Sequence, residues 1–162
     1  MKASKQLSEN LQKVLVDLIE LHVQCKQAHW NLVGKNFRDL HLQLDEIVAD
    51  ARLFTDQVAE RMRALHAVPD GRSATVAETS SLAAFPMGLV STADTVGLVV
   101  DMLEACVGTM RDVHDQVDEE DPITADILHG FIEKLEQYAW MVDAENMAPT
   151  AKTGTAKTRK AS

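Results

Sequence analysis

Four residues of one predicted helix, His41, Asp45, Asp56 and Glu60, carry side chains that commonly bind metal ions. At about 100° of rotation per residue, all four fall within a stripe roughly 100° wide on the helix surface. Along the axis, however, His41 and Asp56 are roughly 22 Å apart at about 1.5 Å per residue, which is too far for one metal centre. The stripe is therefore either an ordinary solvated face, or two copies of the helix run antiparallel and complete two identical sites between them.

A fifth candidate ligand, His29, lies on the preceding predicted helix. The turn between the two helices centres near Lys35, with His29 six residues before it and His41 six residues after it. In an antiparallel hairpin the two histidines come level, so His29 joins the His41 end of the stripe, whereas Asp56 and Glu60 form the far half-site. Two imidazoles with two or three carboxylates suit Fe(II), with Zn(II), Mn(II) or Co(II) as competitors.

The elements that must position these residues are predicted to be helices. The chain has 162 residues, and its four prolines and seven glycines are too few for an all-β fold rich in turns. Apolar residues recur at spacings of three and four, which is typical of amphipathic helices. The pattern predicts one domain over residues 1–147, with helices at about 6–33, 37–66, 92–118 and 122–146.

The connection between the second and third predicted helices is long. It covers about 25 residues, is irregular, and contains Pro69, Gly71 and Pro86. Such a segment can span the length of a bundle, whereas a plain up-down bundle needs only a short link. One long crossover in a four-helix bundle is the ferritin-like connectivity, so the sequence predicts an all-α, ferritin-like fold.

Charge is distributed unevenly along the chain, whose net charge is −9. Residues 148–162 carry four basic and no acidic side chains, whereas the remainder carries 12 basic and 25 acidic ones. The low-complexity tail is expected to be disordered and to contact DNA phosphates without reading base sequence. A solubilising tail is the alternative. The residues that would contact DNA are Lys152, Lys157, Arg159 and Lys160.

Two features favour a cytoplasmic protein. The chain has no apolar segment typical of a secretory signal, and no apolar run of about 18 residues that could span a membrane. Cys25 and Cys106 lie in separate apolar segments, so we expect buried thiols of a reducing compartment rather than a disulfide.

Three short motifs stand at specific spacings: His-Trp-Asn at residues 29–31, His-x-x-x-Asp at 41–45 and Asp-x-x-x-Glu-Arg at 56–61. Together with the acidic segment at residues 120–126, they resemble the Dps family, the ferritin-like DNA-binding proteins from starved cells. The sequence of these segments is most similar to that of actinobacterial members, and the resemblance extends roughly from Leu7 to Asn146.

The resemblance implies a ferroxidase site shared between two subunits. Its iron ligands would be His29, His41 and Asp45 of one subunit and Asp56 and Glu60 of the two-fold mate. It further implies a hollow homododecamer, associated with the nucleoid, that oxidises Fe(II) with hydrogen peroxide or oxygen, stores ferric mineral and protects DNA from oxidative damage. No organic cofactor is implied. The alternatives are a mainly DNA-compacting protein with secondary iron chemistry, and a metal-free helical interaction module.

Further roles are implied at the start of the last helix and beside His29. In the family that region lines a three-fold pore, so Asp121 and Asp126 are candidates for the route by which iron enters, although Asp121 could simply cap the helix. Trp30 could donate an electron during iron oxidation or pack at the dimer interface. Arg61 is expected to neutralise a neighbouring carboxylate.

Two acidic residues of the second predicted helix, Glu46 and Asp50, could face the cavity of such a shell. There they would be candidates for nucleating the ferric mineral.

Overall fold

The computed structural model describes residues 1–151, and within them the chain forms five α-helices and two short β-strands. The helices are α1 (Lys5–Asn31), α2 (Phe37–Ala64), α3 (Ser73–Thr79), α4 (Thr92–Glu120) and α5 (Pro122–Asp143), and the strands are β1 (Leu32–Val33) and β2 (Val90–Ser91). The basic tail residues that were predicted to bind DNA, Lys152, Lys157, Arg159 and Lys160, lie outside the described residues.

The four long helices form two antiparallel hairpins, α1 with α2 and α4 with α5, packed around one apolar core. Each helix contributes a stripe of apolar residues, because spacings of three and four return to the same helix face. In α1, for example, Leu7, Leu11 and Leu18 are fully buried. The predicted all-α four-helix bundle with one long crossover is confirmed.

A short parallel strand pair shows where the crossover leads. Leu32 of β1 pairs with Val90 of β2, so the chain that left α2 at the far end of the bundle has returned to the level of the α1–α2 turn. Two-residue strands leave no periodic signal, and the sequence did not predict them. Because Leu32 is already extended, with φ −77° and ψ 145°, α1 ends at Asn31 rather than at the expected residue 33.

The other helix ends differ from the expected ones by two or three residues. Helix α2 ends at Ala64 because His66 adopts a left-handed conformation, with φ 61°, and the following amide bonds back to the carbonyl of Met62. Helix α5 ends at Asp143 rather than at residue 146, because the next amides bond at three-residue spacing. Helix α4 continues two residues beyond the expected end, to Glu120.

A buried carboxylate fastens the crossover to the bundle. Asp17 of α1 accepts hydrogen bonds from the Ser80 hydroxyl (2.9 Å), from the Ser81 amide and hydroxyl (both 2.7 Å), and from the Thr109 hydroxyl (2.6 Å). Four donors compensate the loss of water around a buried charge. The end of α3, α1 and α4 are thereby held together at one point.

The α1–α2 turn is tight. Gly34 has φ +128°, and a Cβ atom at this position would lie 3.1 Å from the Thr92 hydroxyl oxygen. Asn36 stands at the N-cap of α2, but it is left-handed (φ 58°) and makes no capping hydrogen bond. Its side-chain amide instead donates to Glu145, 3.1 Å away, which links the turn to the end of α5.

Both cysteines are free and buried in the core. Burial raises the pKa of the Cys25 thiol to about 12 and raises that of Cys106 well above its ordinary value. Both thiols are therefore protonated and unreactive near neutral pH. Among residues 1–151, none of the helices has the length and hydrophobicity of a membrane-spanning segment.

Candidate metal centre

The antiparallel packing of α1 and α2 brings His29 and His41 level with each other. The Nδ1 atom of His29 lies 2.9 Å from the carbonyl oxygen of His41, and the Nδ1 atom of His41 lies 3.0 Å from the carbonyl oxygen of His29. The two rings are stacked, with centroids 3.6 Å apart. Because a carbonyl oxygen can only accept, both Nδ1 atoms carry the proton, and in the neutral imidazoles both Nε2 atoms remain free to bind a metal.

Asp45 completes a group of three ligand-type residues. It lies one helical turn after His41, and one ligand atom each from His29, His41 and Asp45 lie within 4.8 Å of one another. His29 is only 7% exposed, whereas Asp45 is open to solvent. The protomer thus presents a pre-formed group of two imidazoles and one carboxylate at its surface.

Lys26 contacts this group and was not recognised as part of it in the sequence. Its ammonium forms an ion pair with Asp45 Oδ1, and the hydrogen bond from Lys26 is the main reason that the pKa of Asp45 is lowered. Its position in the sequence could have identified it, because Lys26 lies three residues before His29 on the same face of α1.

The structure does not bring Asp56 and Glu60 to the His29–His41–Asp45 group within one protomer. Both lie exposed further along α2. Within residues 1–151, neither side chain forms a hydrogen bond or an ion pair. One protomer therefore carries two separate half-sites, one holding the imidazoles and the other two carboxylates.

Large apolar side chains are exposed around these half-sites. Trp30, next to His29, is 65% exposed, and Leu42 and Leu53 of α2 are 45% and 53% exposed. Phe37 lies against His41, with ring centroids 5.0 Å apart, and is also exposed. Clustered exposed apolar side chains are typical of a surface that contacts another protein.

Arg61 pairs with the carboxylate of Asp121, as the sequence analysis anticipated for a neighbouring acid. Its Nη2 atom lies 2.6 Å from Asp121 Oδ2, and its Nε atom donates to the Thr124 hydroxyl at 2.9 Å. Burial tends to raise the pKa of Asp121, but the hydrogen bonds from Thr124 and Arg61 outweigh it and lower the pKa.

Asp121 is only 3% exposed, and its buried carboxylate accepts a hydrogen bond from Arg61. Asp121 also occupies the N-cap position of α5, the alternative role considered for it, and its part in the passage of iron stays a prediction. Asp126, by contrast, is almost fully exposed and lies 3.7 Å from His129 Nδ1.

The two acidic residues considered for mineral nucleation, Asp50 and Glu46, also differ in how free their carboxylates are. Asp50 accepts a hydrogen bond of 2.7 Å from the Tyr138 hydroxyl. Burial, together with this hydrogen bond, raises the pKa of Tyr138. Glu46 is exposed and accepts only a 3.3 Å hydrogen bond from Gln43. Of the pair, Glu46 has the freer carboxylate.

Known proteins share both the sequence pattern and the fold. The ferritin-like domain pattern matches residues 8–146. DNA protection during starvation protein 1 of Deinococcus radiodurans is 33% identical over 88% of this chain and 70% of its own length. The fine tangled pili major subunit of Haemophilus ducreyi is 34% identical over 85% of this chain and 73% of its own length.

Among solved structures, Dps from Microbacterium arborescens in its high iron form superposes with a TM-score of 0.83 at 30% identity. The match covers 90% of this chain and 98% of that one. The relationship therefore extends over the whole bundle rather than over one motif.

Proposed function

This chain belongs to the Dps family of ferritin-like proteins, and we propose that it oxidises Fe(II) at a centre shared between two protomers and stores the ferric product. The observation that carries the proposal is the convergence of His29, His41 and Asp45. Two imidazole nitrogens and a carboxylate oxygen suit Fe(II), and no thiolate is present to favour softer metals. The Microbacterium arborescens relative has been described in a high iron form.

The second half of the centre would come from another copy of α2. In the sequence, His41 and Glu60 share a midpoint with Asp45 and Asp56, and it lies between residues 50 and 51. Two copies of α2 crossing antiparallel about a two-fold axis at that point would therefore bring both pairs together at once. Because a two-fold interface repeats every contact, the dimer would hold two identical centres.

The exposed apolar side chains support this dimer. Leu42 and Leu53 lie on the same side of α2 as the ligand stripe, and Trp30 flanks it on α1. A second protomer would remove this surface from water, which favours association. We propose that Trp30 packs in this interface, the alternative role being electron donation during iron oxidation, and that the dimers assemble further into a hollow dodecamer.

The proposed chemistry uses Fe(II) as substrate and hydrogen peroxide, or oxygen, as oxidant. Two Fe(II) ions each lose one electron, the O–O bond of one peroxide breaks, and two protons complete two water molecules. Because both electrons arrive together, no hydroxyl radical is released. The carboxylates of the two half-sites stabilise the higher charge of the ferric product.

The protein's own residues prepare the site for this exchange. The reciprocal hydrogen bonds of His29 and His41 hold both rings in the tautomer that binds metal. The hydrogen bond from Lys26 lowers the pKa of the Asp45 carboxyl group, which is already ionised near neutral pH, and holds the carboxylate in place before iron arrives. Binding of Fe(II) would then displace the Lys26 ammonium from Asp45.

Oxidation of Fe(II) by peroxide tests this proposal. We expect ferric absorbance to appear rapidly with the wild-type protein and more than about tenfold more slowly with His41→Ala/Asp56→Ala. A matched control is His66→Asn/Asp112→Ala, which removes an exposed histidine and an exposed acid elsewhere. Equal oxidation rates in all three proteins, at equal oligomer size, would make the ligand stripe structural.

Iron would reach the cavity past Asp126, which is exposed at the start of α5. We expect Asp126→Asn to slow iron uptake at low Fe(II) concentration, where attraction to a carboxylate matters most. Unchanged uptake would remove this role.

Sequence-independent DNA binding is a second proposed function. Residues 148–162 carry four basic and no acidic side chains on an otherwise acidic chain. The Deinococcus radiodurans relative is named for DNA protection during starvation. Single tails would bind phosphates weakly, but several tails on one oligomer would act together.

A further inference from the structure

A second pair of stacked histidines lies between α4 and α5, on helices that take no part in the candidate metal centre. The rings of His114 in α4 and His129 in α5 have centroids 4.5 Å apart and planes inclined by 29°. The two imidazoles therefore contact each other across the α4–α5 packing.

Each of these histidines has a carboxylate beside its Nδ1 atom. His114 Nδ1 lies 3.2 Å from Asp115 Oδ1, and His129 Nδ1 lies 3.7 Å from Asp126 Oδ1. A carboxylate near Nδ1 favours the tautomer in which Nδ1 carries the proton and the Nε2 atom carries a lone pair. The same carboxylate–histidine relationship supports metal-binding histidines in general.

The Nε2 atom of His114 is buried and has no hydrogen-bond partner within residues 1–151. A buried nitrogen without a partner is unfavourable, because it has lost its hydrogen bond to water and forms no hydrogen bond within the protein. A ligand that bound this nitrogen would remove the penalty.

A cleft of about 390 Å³ opens beside the two rings, and two glutamates line it. Glu136 forms an ion pair with Arg111, which also lines the cleft. Glu133 forms no hydrogen bond or ion pair within the described chain, and it lies one helical turn after His129. Glu133 is therefore the carboxylate free to bind a ligand in this cleft.

We propose that His114, His129 and Glu133 form a second metal site, contained in one protomer, for a divalent first-row transition-metal ion such as Zn(II), Co(II) or Fe(II). Two imidazoles and one carboxylate are a donor set that such ions accept, with water completing the coordination. His129 is 59% exposed, so its ring can turn from the stacked position and direct Nε2 toward the same ion as His114. Asp115 and Asp126 would orient the two rings.

Cobalt(II) binding to the assembled, full-length protein tests this proposal. The His41→Ala/Asp56→Ala variant disables the candidate metal centre, so any Co(II) that it retains must bind elsewhere. We expect this variant to bind one Co(II) ion per chain, as measured by equilibrium dialysis and by the visible absorption of bound Co(II). Adding His129→Ala should weaken that binding by at least about tenfold.

Two further variants make the result specific. The control variant carries His66→Asn, instead of His129→Ala, in the His41→Ala/Asp56→Ala background. It removes an exposed histidine elsewhere and should leave Co(II) binding unchanged. Because the half-buried His114 could matter for folding, Asp115→Asn is the gentler probe on α4, and we expect it to weaken binding by about 10- to 100-fold.

Absence of bound Co(II) in His41→Ala/Asp56→Ala, or binding that survives His129→Ala, would overturn the proposal. The outcome is independent of Fe(II) oxidation at the candidate metal centre. That reaction can fail while the α4–α5 cleft binds Co(II), and the reverse can also occur.

Discussion

His29 and His41 each donate a hydrogen bond from Nδ1 to the main-chain carbonyl oxygen of the other, and their rings stack at 3.6 Å. The two candidate ligands are therefore also a structural link between α1 and α2. A residue pair that is both link and ligand allows the site to be tested through stability as well as through metal binding.

The first prediction concerns this link in metal-free protein. His29→Ala and His41→Ala should each lower the free energy of unfolding by about 1–2 kcal/mol, because each removes a hydrogen bond and the ring contact. The double variant should lose less than the sum, by at least about 0.5 kcal/mol, since the stacking contact is lost only once. Urea unfolding at one protein concentration measures this, and strict additivity would contradict the coupling.

The second prediction concerns sharing of the centre between protomers. His41→Ala and Asp56→Ala should each be nearly inactive in Fe(II) oxidation, because each variant damages every centre. Mixing the two under conditions that exchange subunits should restore about a quarter of the wild-type activity, since random pairing joins the intact halves in that fraction of two-fold sites. Activity of the mixture no higher than that of its components would show that each centre lies within one chain.

Much of this arrangement was predictable from the sequence, because it follows from regular geometry. The level placement of His29 and His41 follows from their equal distance from the turn at Lys35. The crossover followed from the length of an irregular segment. These inferences needed only helical periodicity and antiparallel packing.

Other features depend on contacts between segments that are distant in the sequence, so short stretches of sequence could not predict them. The pairing of Leu32 with Val90 involves strands of two residues, which are too short for any pattern. The enclosure of Asp121 depends on Arg61, 60 residues earlier. An acidic cluster in the sequence does not reveal which carboxylate faces solvent and which is buried in an ion pair.

The third prediction concerns Lys26, whose ammonium competes with a metal ion for Asp45. Lys26→Gln should raise the affinity of the candidate metal centre for Co(II) by about two- to fivefold, the range expected for a partly exposed ion pair. Without Lys26 the pKa of Asp45 should rise toward its ordinary value. Calorimetric titration at pH 7 measures the affinity.

Lys5→Gln is the matched control for this experiment, because Lys5 forms an exposed ion pair with Glu9 at the start of α1. It should leave the affinity unchanged. An affinity for Co(II) that falls in Lys26→Gln would show that the lysine supports metal binding rather than opposing it.

The fourth prediction concerns pH and Asp121. Its pKa is lowered in the folded protein, so its ionised form contributes stability at pH values above the ordinary carboxyl pKa of about 3.9. That contribution is lost as the pH falls from there through the lowered folded value. Asp121→Asn keeps the shape and removes the charge, so it should destabilise the protein by about 1–3 kcal/mol at pH 7.

The difference between wild type and Asp121→Asn should shrink as the pH falls below about 4, since the wild-type carboxylate then takes up a proton in the unfolded state while it stays ionised in the folded state. Urea unfolding at pH 7, 5 and 3.5 provides the comparison. Asp112→Asn, at an exposed position on α4, is the control and should change little at any pH. A difference that stays constant across this range would show that the charge of Asp121 contributes nothing to stability.

The fifth prediction concerns the basic tail. A chain that ends at Pro149 loses all four basic side chains of residues 148–162 and should no longer retard DNA in a gel at low salt. A full-length chain with glutamine at Lys152, Lys157, Arg159 and Lys160 separates charge from tail length and should behave like the shortened one. For the wild type, binding should weaken steeply between about 50 and 200 mM salt and be similar for unrelated DNA sequences, because phosphate contacts carry no base information. If the shortened chain retards DNA as well as the full-length chain does, the DNA-binding surface lies on the helical bundle, whose net charge is strongly negative, and the tail has another role.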